Sequence, residues 1–398
     1  MIPALRTIYN AAFSEEQYQK FIQNIHTDWP NQLDFRIAET PIFVPKALGS
    51  KLIEAGESFI DLMVSPFFKE KTRAAIPPAQ HVPNENAHAS FLAIDFAICK
   101  DANGELTPQL IELQGFPSIF GFQSYITEQF RKFFPIPAEF SNYFGGVTNQ
   151  AEYVEVLKKV IVGSENPENV ILLEIYPEKQ KTRVDFAVTE AFLGVKAVCY
   201  TKIKKEGRKL FYEHEGRKIA INRIYNRLIF DDLTNFPDLQ TEFNFTDDVD
   251  VTWVGHPNWF FRISKYTLPF LKSPYVPATR FLSEYNGDFP TDLENYVLKP
   301  LFSFAGSGVK IHVETKDLTE IDDPENWILQ RKVNYEPVVQ APDGLVKCEI
   351  RMLYVWEDDA PRPQLLTSLA RLSRGEMIGV RFNKDFTWVG GSTCFFEP

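Results

Sequence analysis

The spacing of apolar and polar positions changes character along the chain. Ser14-Glu15-Glu16-Gln17 predicts a helix start with acidic residues in its first turn, and helical apolar spacing runs on to about residue 75, most regularly over 47–68. Residues 75–87 (containing IPPAQHVPNEN) form a polar, proline-rich link. Beyond it strands dominate. Residues 91–98 read as a buried strand with one carboxylate, Asp95, Asn103-Gly104 marks a hairpin turn, and 109–114 is the return strand. Gly115-Phe116-Pro117-Ser118 then turns into Ile119-Phe120-Gly121-Phe122-Gln123, and 142–150 reads as a boundary. Strand, helix and strand at 170–175, 182–193 and 195–200 predict a βαβ unit and a small parallel sheet. A hairpin follows around His214-Glu215-Gly216.

In the last third, a helix-like stretch carries Lys265. Residues 296–298 predict a short strand that delivers Lys299; Pro300 stops it, and a small, flexible run (Ser303 to Gly308) leads to an alternating second strand at 309–313. This is a hairpin with a glycine-rich tip. Backbone N–H groups at Gly306, Ser307 and Gly308 can approach an anion closely, and lysine adds a mobile positive charge. An ordinary Gly-Ser hairpin tip has the same pattern. Residues 327–333, 346–356 and 365–372 read as further strands, the last two holding Arg351 and Arg371.

The chain has 398 residues, enough for two or three domains, with 44% hydrophobic and 24% charged residues. A net charge of −11 argues against general nucleic-acid affinity but leaves room for a local basic pocket. The four cysteines lie far apart with no CxxC, and the six histidines form no metal-binding pair, so buried free thiols in a reducing cytoplasm are expected. No run reaches the roughly 18 apolar residues of a membrane span, and no signal peptide is expected.

Two clusters remain. Strand alternation puts Glu112 and Gln114 on one face; if Asp95 shares it, three oxygen donors suited to Mg²⁺ converge, although a solvated acidic edge has the same pattern. Arg223, Asn226 and Arg227 follow an apolar strand, where α/β sheets bind ligands, and read equally as a surface helix start.

Taken in order, these parts resemble the ATP-grasp superfamily: Lys265, then Lys299 and the Gly306-Ser307-Gly308 flap, the strand with Gln330-Arg331-Lys332-Val333, the arginine strands at Arg351 and Arg371, and Asn383 with a Gly390-Gly391-Ser392 loop. The Asp strand and an E-x-N-like element (Glu112, Gln114) precede them, an order similar to the circularly permuted branch that includes glutathionylspermidine synthase. The resemblance covers roughly residues 88–398. It implies an α+β and α/β fold. Residues 1–145 would contribute the metal-binding strands of the large lobe, 146–255 an inserted Rossmann-like βαβ domain, and 256–398 the small lobe and the rest of the nucleotide core.

It further implies an ATP- and Mg²⁺-dependent ligase that joins a small-molecule or peptide carboxylate to an amine through an acyl phosphate. Lys265, Lys299 and the flap would hold the phosphates, Gln330, Lys332 and Val333 would line the adenine, and Asp95, Glu112 and Gln114 would carry magnesium. Arg351 and Arg371 would neutralise the migrating charge, and Asn383, Gly391 and Ser392 would receive the acyl group. Gln114 where the family has Asn, and Ala93 where the branch often has Arg, keep open a phosphotransferase or a nucleotide binder without turnover.

Overall fold

The computed structural model describes residues 1–303, 307–379 and 382–398. Its main sheet joins strands from both ends of the chain. Ile42–Val44 (β1), Phe91–Lys100 (β2) and Leu106–Gln114 (β3) come from the N-terminal part; Val339–Ala341 (β14), Gly344–Val355 (β15), Gln364–Ser373 (β16) and Gly390–Phe396 (β17) come from the C-terminal part. They pair in the order β1-β17-β16-β15-β2-β3, with β14 hairpinned onto β15. The β2–β15 pairing is antiparallel and sets Asp95 opposite Arg351. Side chains alternate across β2: Leu92, Ile94, Phe96 and Ile98 pack with Phe21 and Phe59, whereas Phe91 and Ala93 pack with Phe120 and Tyr153. Both faces are covered, which is why β2 reads as an almost unbroken apolar run.

The predicted N-terminal helices form at Pro3–Ala12, Glu15–Asp28 and Lys46–Met63, the second capped by Ser14, whose side chain accepts from the Gln17 N–H. One helix, Phe120–Phe133, stands where the apolar pattern reads only as a turn. Its first eight residues are buried on every side, and even the polar Gln123 and Thr127 are turned inward onto buried hydrogen-bond partners, so polarity there does not mark a solvent face.

Val170–Glu174 (β4), Lys196–Cys199 (β5), Arg223–Asn226 (β9) and Thr252–Val254 (β10) make a parallel sheet in the order β10-β9-β4-β5. The helix Arg183–Leu193 connects β4 to β5 as the strand–helix–strand pattern predicts. Lys204–Glu206 (β6), Lys209–His214 (β7) and Arg217–Ile221 (β8) form a meander whose turn uses Glu215 and Gly216 at positive φ.

Thr279–Phe281 (β11), Tyr296–Pro300 (β12) and Trp327–Arg331 (β13) form a three-stranded antiparallel sheet in the order β11-β13-β12. The second strand expected at 309–313 is absent. One bridge, Leu298 to Lys310, closes the turn before the chain leaves for the short helix Thr315–Thr319. The long partner of β12 is β13, and Pro300 has no N–H with which to extend another ladder. Gly306 lies outside the described residues.

The Gly390-Gly391-Ser392 segment, expected as a loop, opens β17. Its glycines answer a backbone approach. A Cβ on Gly390, at φ 128°, would sit 2.5 Å from the Arg36 carbonyl, and Gly391 exchanges hydrogen bonds with Arg36 and Ala38. No helix of the described residues is long and apolar enough to cross a membrane.

Candidate functional site

Register places one polar row on a single face of the main sheet. Asp95 on β2 stands opposite Glu112 on β3 and Arg351 on β15; Glu349, two residues from Arg351, stands opposite Arg371 on β16. Directly paired residues share a face, so all five side chains do. The three-stranded sheet meets the β3 edge, where Lys299 Nζ donates to the Ile111 carbonyl at 3.2 Å and to Gln330 Oε1 at 2.6 Å. Lys265 reaches the same row. Ser264 caps its short helix, and its Nζ donates to the Ser303 carbonyl at 2.8 Å and pairs with Glu112 Oε1 at 3.2 Å. Gly115, at the end of β3, donates to the Ile263 carbonyl at 2.8 Å and so fixes the distance between β3 and the Lys265 segment.

Asp95 is the hub of the row. Its carboxylate is 1% exposed; Oδ1 accepts from Arg351 Nε, and Oδ2 accepts from Arg351 Nη2 at 2.6 Å and Arg371 Nη2 at 2.5 Å. Burial pushes this carboxyl up, but the two guanidiniums outweigh burial and hold it below its ordinary range. Arg351 Nη1 also donates to Ser118 Oγ at 3.0 Å. Glu349 is buried and accepts from the Tyr335 hydroxyl, and burial pushes its carboxyl up. Its Oε2 lies 2.7 Å from Arg371 Nη2 without hydrogen-bond geometry, so that contact is electrostatic. Arg371 remains about a third exposed and is the most accessible cation of the row. Lys299 is buried, and burial lowers its ammonium to about 8.

Four cations (Lys265, Lys299, Arg351, Arg371) thus converge on three carboxylates (Asp95, Glu112, Glu349), and the set is net positive in a chain of charge −11. Such a cluster suits a polyanion. Magnesium fits the same residues poorly. Both Asp95 oxygens are engaged by guanidiniums and Glu112 is paired with Lys265, which leaves Gln114 as the free donor of the expected three. Among the described residues, no three His, Cys, Asp or Glu side chains are grouped to hold a metal ion.

Several other expected site residues have structural partners instead. Arg223 donates to the Val160 and Ile161 carbonyls, Asn226 to the Leu228 and Gly255 carbonyls, and Arg227 to the Ser118 carbonyl and Asp185. Buried at the two ends of β9, Arg223 at its start and Asn226 and Arg227 at its finish, these donors tie the parallel sheet to its surroundings. Asn383 Oδ1 accepts from the Arg374 and Gly375 N–H groups and closes the loop after β16, while Ser392 Oγ donates to the Thr40 carbonyl. Gln330 donates to Thr279 at 3.0 Å, and Lys332 donates from its main chain to the Asn295 carbonyl; Val333 follows it, half-buried. Ser307 and Gly308 are exposed, Gly308 at φ 70°.

Glu349, Tyr335 and Ser118 join the site without having been predicted. Alternation alone carries the signal for Glu349, since it shares a strand face with Arg351; Tyr335 follows β13 in irregular chain and has no such signal.

No family model matches the chain, and no curated protein does. Among solved structures it is similar to a glutathione synthetase-like effector from Globodera pallida in its apo form, with a TM-score of 0.59 over 96% of this chain and 96% of that one, at 11% identity. The fold is glutathione synthetase-like. At this identity the likeness extends to the fold alone.

Proposed function

We propose that this protein binds ATP between the three-stranded sheet and the β2–β3 edge and uses it to join a carboxylate to an amine. The observation that carries the reading is the convergence of Lys265, Lys299, Arg351 and Arg371 on one cleft. The glutathione synthetase-like fold supports it, as does a chain order in which β2 and β3 precede the lysine segments, the order of a circularly permuted ATP-grasp with 146–255 as a Rossmann-like insertion.

In this reading Lys265 and Lys299 hold phosphate oxygens as point charges, and the Ser307 and Gly308 N–H groups cover them and exclude water. Arg371, the most accessible cation of the row, faces the charge that develops during phosphoryl transfer, and Arg351 sits behind it, oriented by Asp95. Bound ATP supplies the activated phosphoryl group that makes the carboxylate an electrophile. Main chain around Lys332 and Val333 lines the base. Because the residues present do not form the expected magnesium site, no step here is assigned to a metal.

A second reading is favoured by one observation, the engagement of Asp95 by two arginines: a nucleotide binder without turnover. An assay of ADP and inorganic phosphate release against a panel of carboxylates and amines separates the two. The ligase reading predicts both products only when acid and amine are present together. ADP without free phosphate indicates a phosphotransferase, and no ADP with any pair leaves the binder.

A further inference from the structure

Resting on the nucleotide reading above, we infer that the cleft takes its polyphosphate as a metal-free anion, with Asp95 acting as a positioning residue for Arg351 and Arg371 and not as a ligand to a divalent ion.

Three observations converge on this. The arrangement is built into the sheet: Arg351 stands directly across the β2–β15 ladder from Asp95, and Arg371 reaches the same carboxylate from the next strand. Both guanidiniums therefore meet Asp95 wherever the ladder forms. Second, Asp95 is 1% exposed and Arg351 only 12%, so an ion could reach the carboxylate only by displacing a bidentate arginine from a buried pair. Third, the charges are unfavourable for a dication. Glu112, the most exposed carboxylate of the row at 24%, is held by Lys265, and Arg371 and Lys299 both lie within electrostatic reach of it. A divalent ion at Glu112 and Gln114 would enter among three cations. A triphosphate would instead meet cations already oriented, of which Arg371 is about a third exposed.

Calorimetric titration of the full chain with ATP, and separately with inorganic triphosphate, in excess EDTA and in excess Mg²⁺ tests this. The inference predicts ATP affinities in the two buffers within about threefold of each other, and competition by triphosphate in EDTA. Binding that is about tenfold or more tighter with Mg²⁺ overturns the inference and leaves the nucleotide reading standing, whereas no binding in either buffer overturns the nucleotide reading itself. Two variants sharpen the result. Glu112→Gln removes a carboxylate beside Lys265 and should tighten ATP binding in EDTA by a few-fold; a metal ligand there would instead weaken binding in Mg²⁺. Asp95→Asn, checked for folding by its melting transition, should change affinity by the same factor in both buffers. A loss confined to the Mg²⁺ buffer would make Asp95 a ligand after all.

Discussion

Lys299 shows how burial sets the properties of a single charge. Its ammonium sits against Gln330 and the Ile111 carbonyl, and desolvation lowers it to about 8 from the ordinary 10.5. Glu112 and Glu349 oppose the shift, and Lys265 adds to it. Between pH 8 and 10.5 the unfolded chain would hold this proton while the native state has lost it, so through this group stability rises with pH across that window. Anion binding has the opposite slope, because the neutral amine no longer attracts phosphate. ATP affinity should therefore fall as pH rises from 7 to 9, measured by titration at constant ionic strength. In Lys299→Met the affinity should be about 10- to 100-fold lower at pH 7, the worth of a charge-assisted hydrogen bond, and the slope should flatten. A slope that survives the substitution assigns the titration to another group. Lys299 was also legible in the sequence, since a short strand ending in lysine before Pro300 places it. Its low exposure was not legible, because the residues that cover it, Ile111 and Gln330, come from two other strands.

Among elements, the contact between β3 and the Lys265 segment sets how closely Lys265 approaches Glu112. A Cβ at Gly115 would meet the Trp259 carbonyl at 2.5 Å and Ile263 Cβ at 2.8 Å. Neither neighbour is the free end of a flexible side chain. Gly115→Ala should push the two segments apart, cost about 1–3 kcal/mol in chemical denaturation, and weaken ATP binding by separating Lys265 from Glu112. Unchanged stability would show that the approach is softer than its distances imply. Strands with a clear apolar run or alternation, such as β2 and β15, could be read from the sequence. Elements whose pattern is set by their neighbours could not. The helix Phe120–Phe133 is buried on every side in its first turns, its polar Gln123, Ser124 and Thr127 included, and the chain after Gly308 alternates like a strand but, among the described residues, has one bridge, Lys310 to Leu298. The glycines at 390 and 391 attracted a ligand-loop reading because a close approach to backbone and a close approach to phosphate ask for the same residue.

Across the whole molecule, the site exists because the main sheet draws β2 and β3 from one end of the sequence and β15 to β17 from the other. Asp95 meets Arg351 across 256 positions of chain, and Arg371 across 276. Motif order suggested that these residues belong together; the register of the ladder shows that Asp95 is tied to the arginines. Sequence alone cannot make that distinction, since an aspartate that binds a metal and one that orients an arginine occupy the same position on the same strand. The parallel sheet contributes indirectly: Arg227 at the end of β9 donates to the Ser118 carbonyl, and the Ser118 hydroxyl accepts from Arg351. Polar residues that appeared suited to a substrate thus buttress the cleft from behind.

The central claim is that the cleft binds nucleotide phosphates on these cations. A crystal structure of the protein with ATP tests it most directly. The account predicts phosphate oxygens within hydrogen-bond distance of Lys265 Nζ, Lys299 Nζ and the Arg371 guanidinium, with Asp95 still paired to Arg351. Nucleotide bound elsewhere, or phosphates out of reach of Lys265, Lys299 and Arg371, would contradict it.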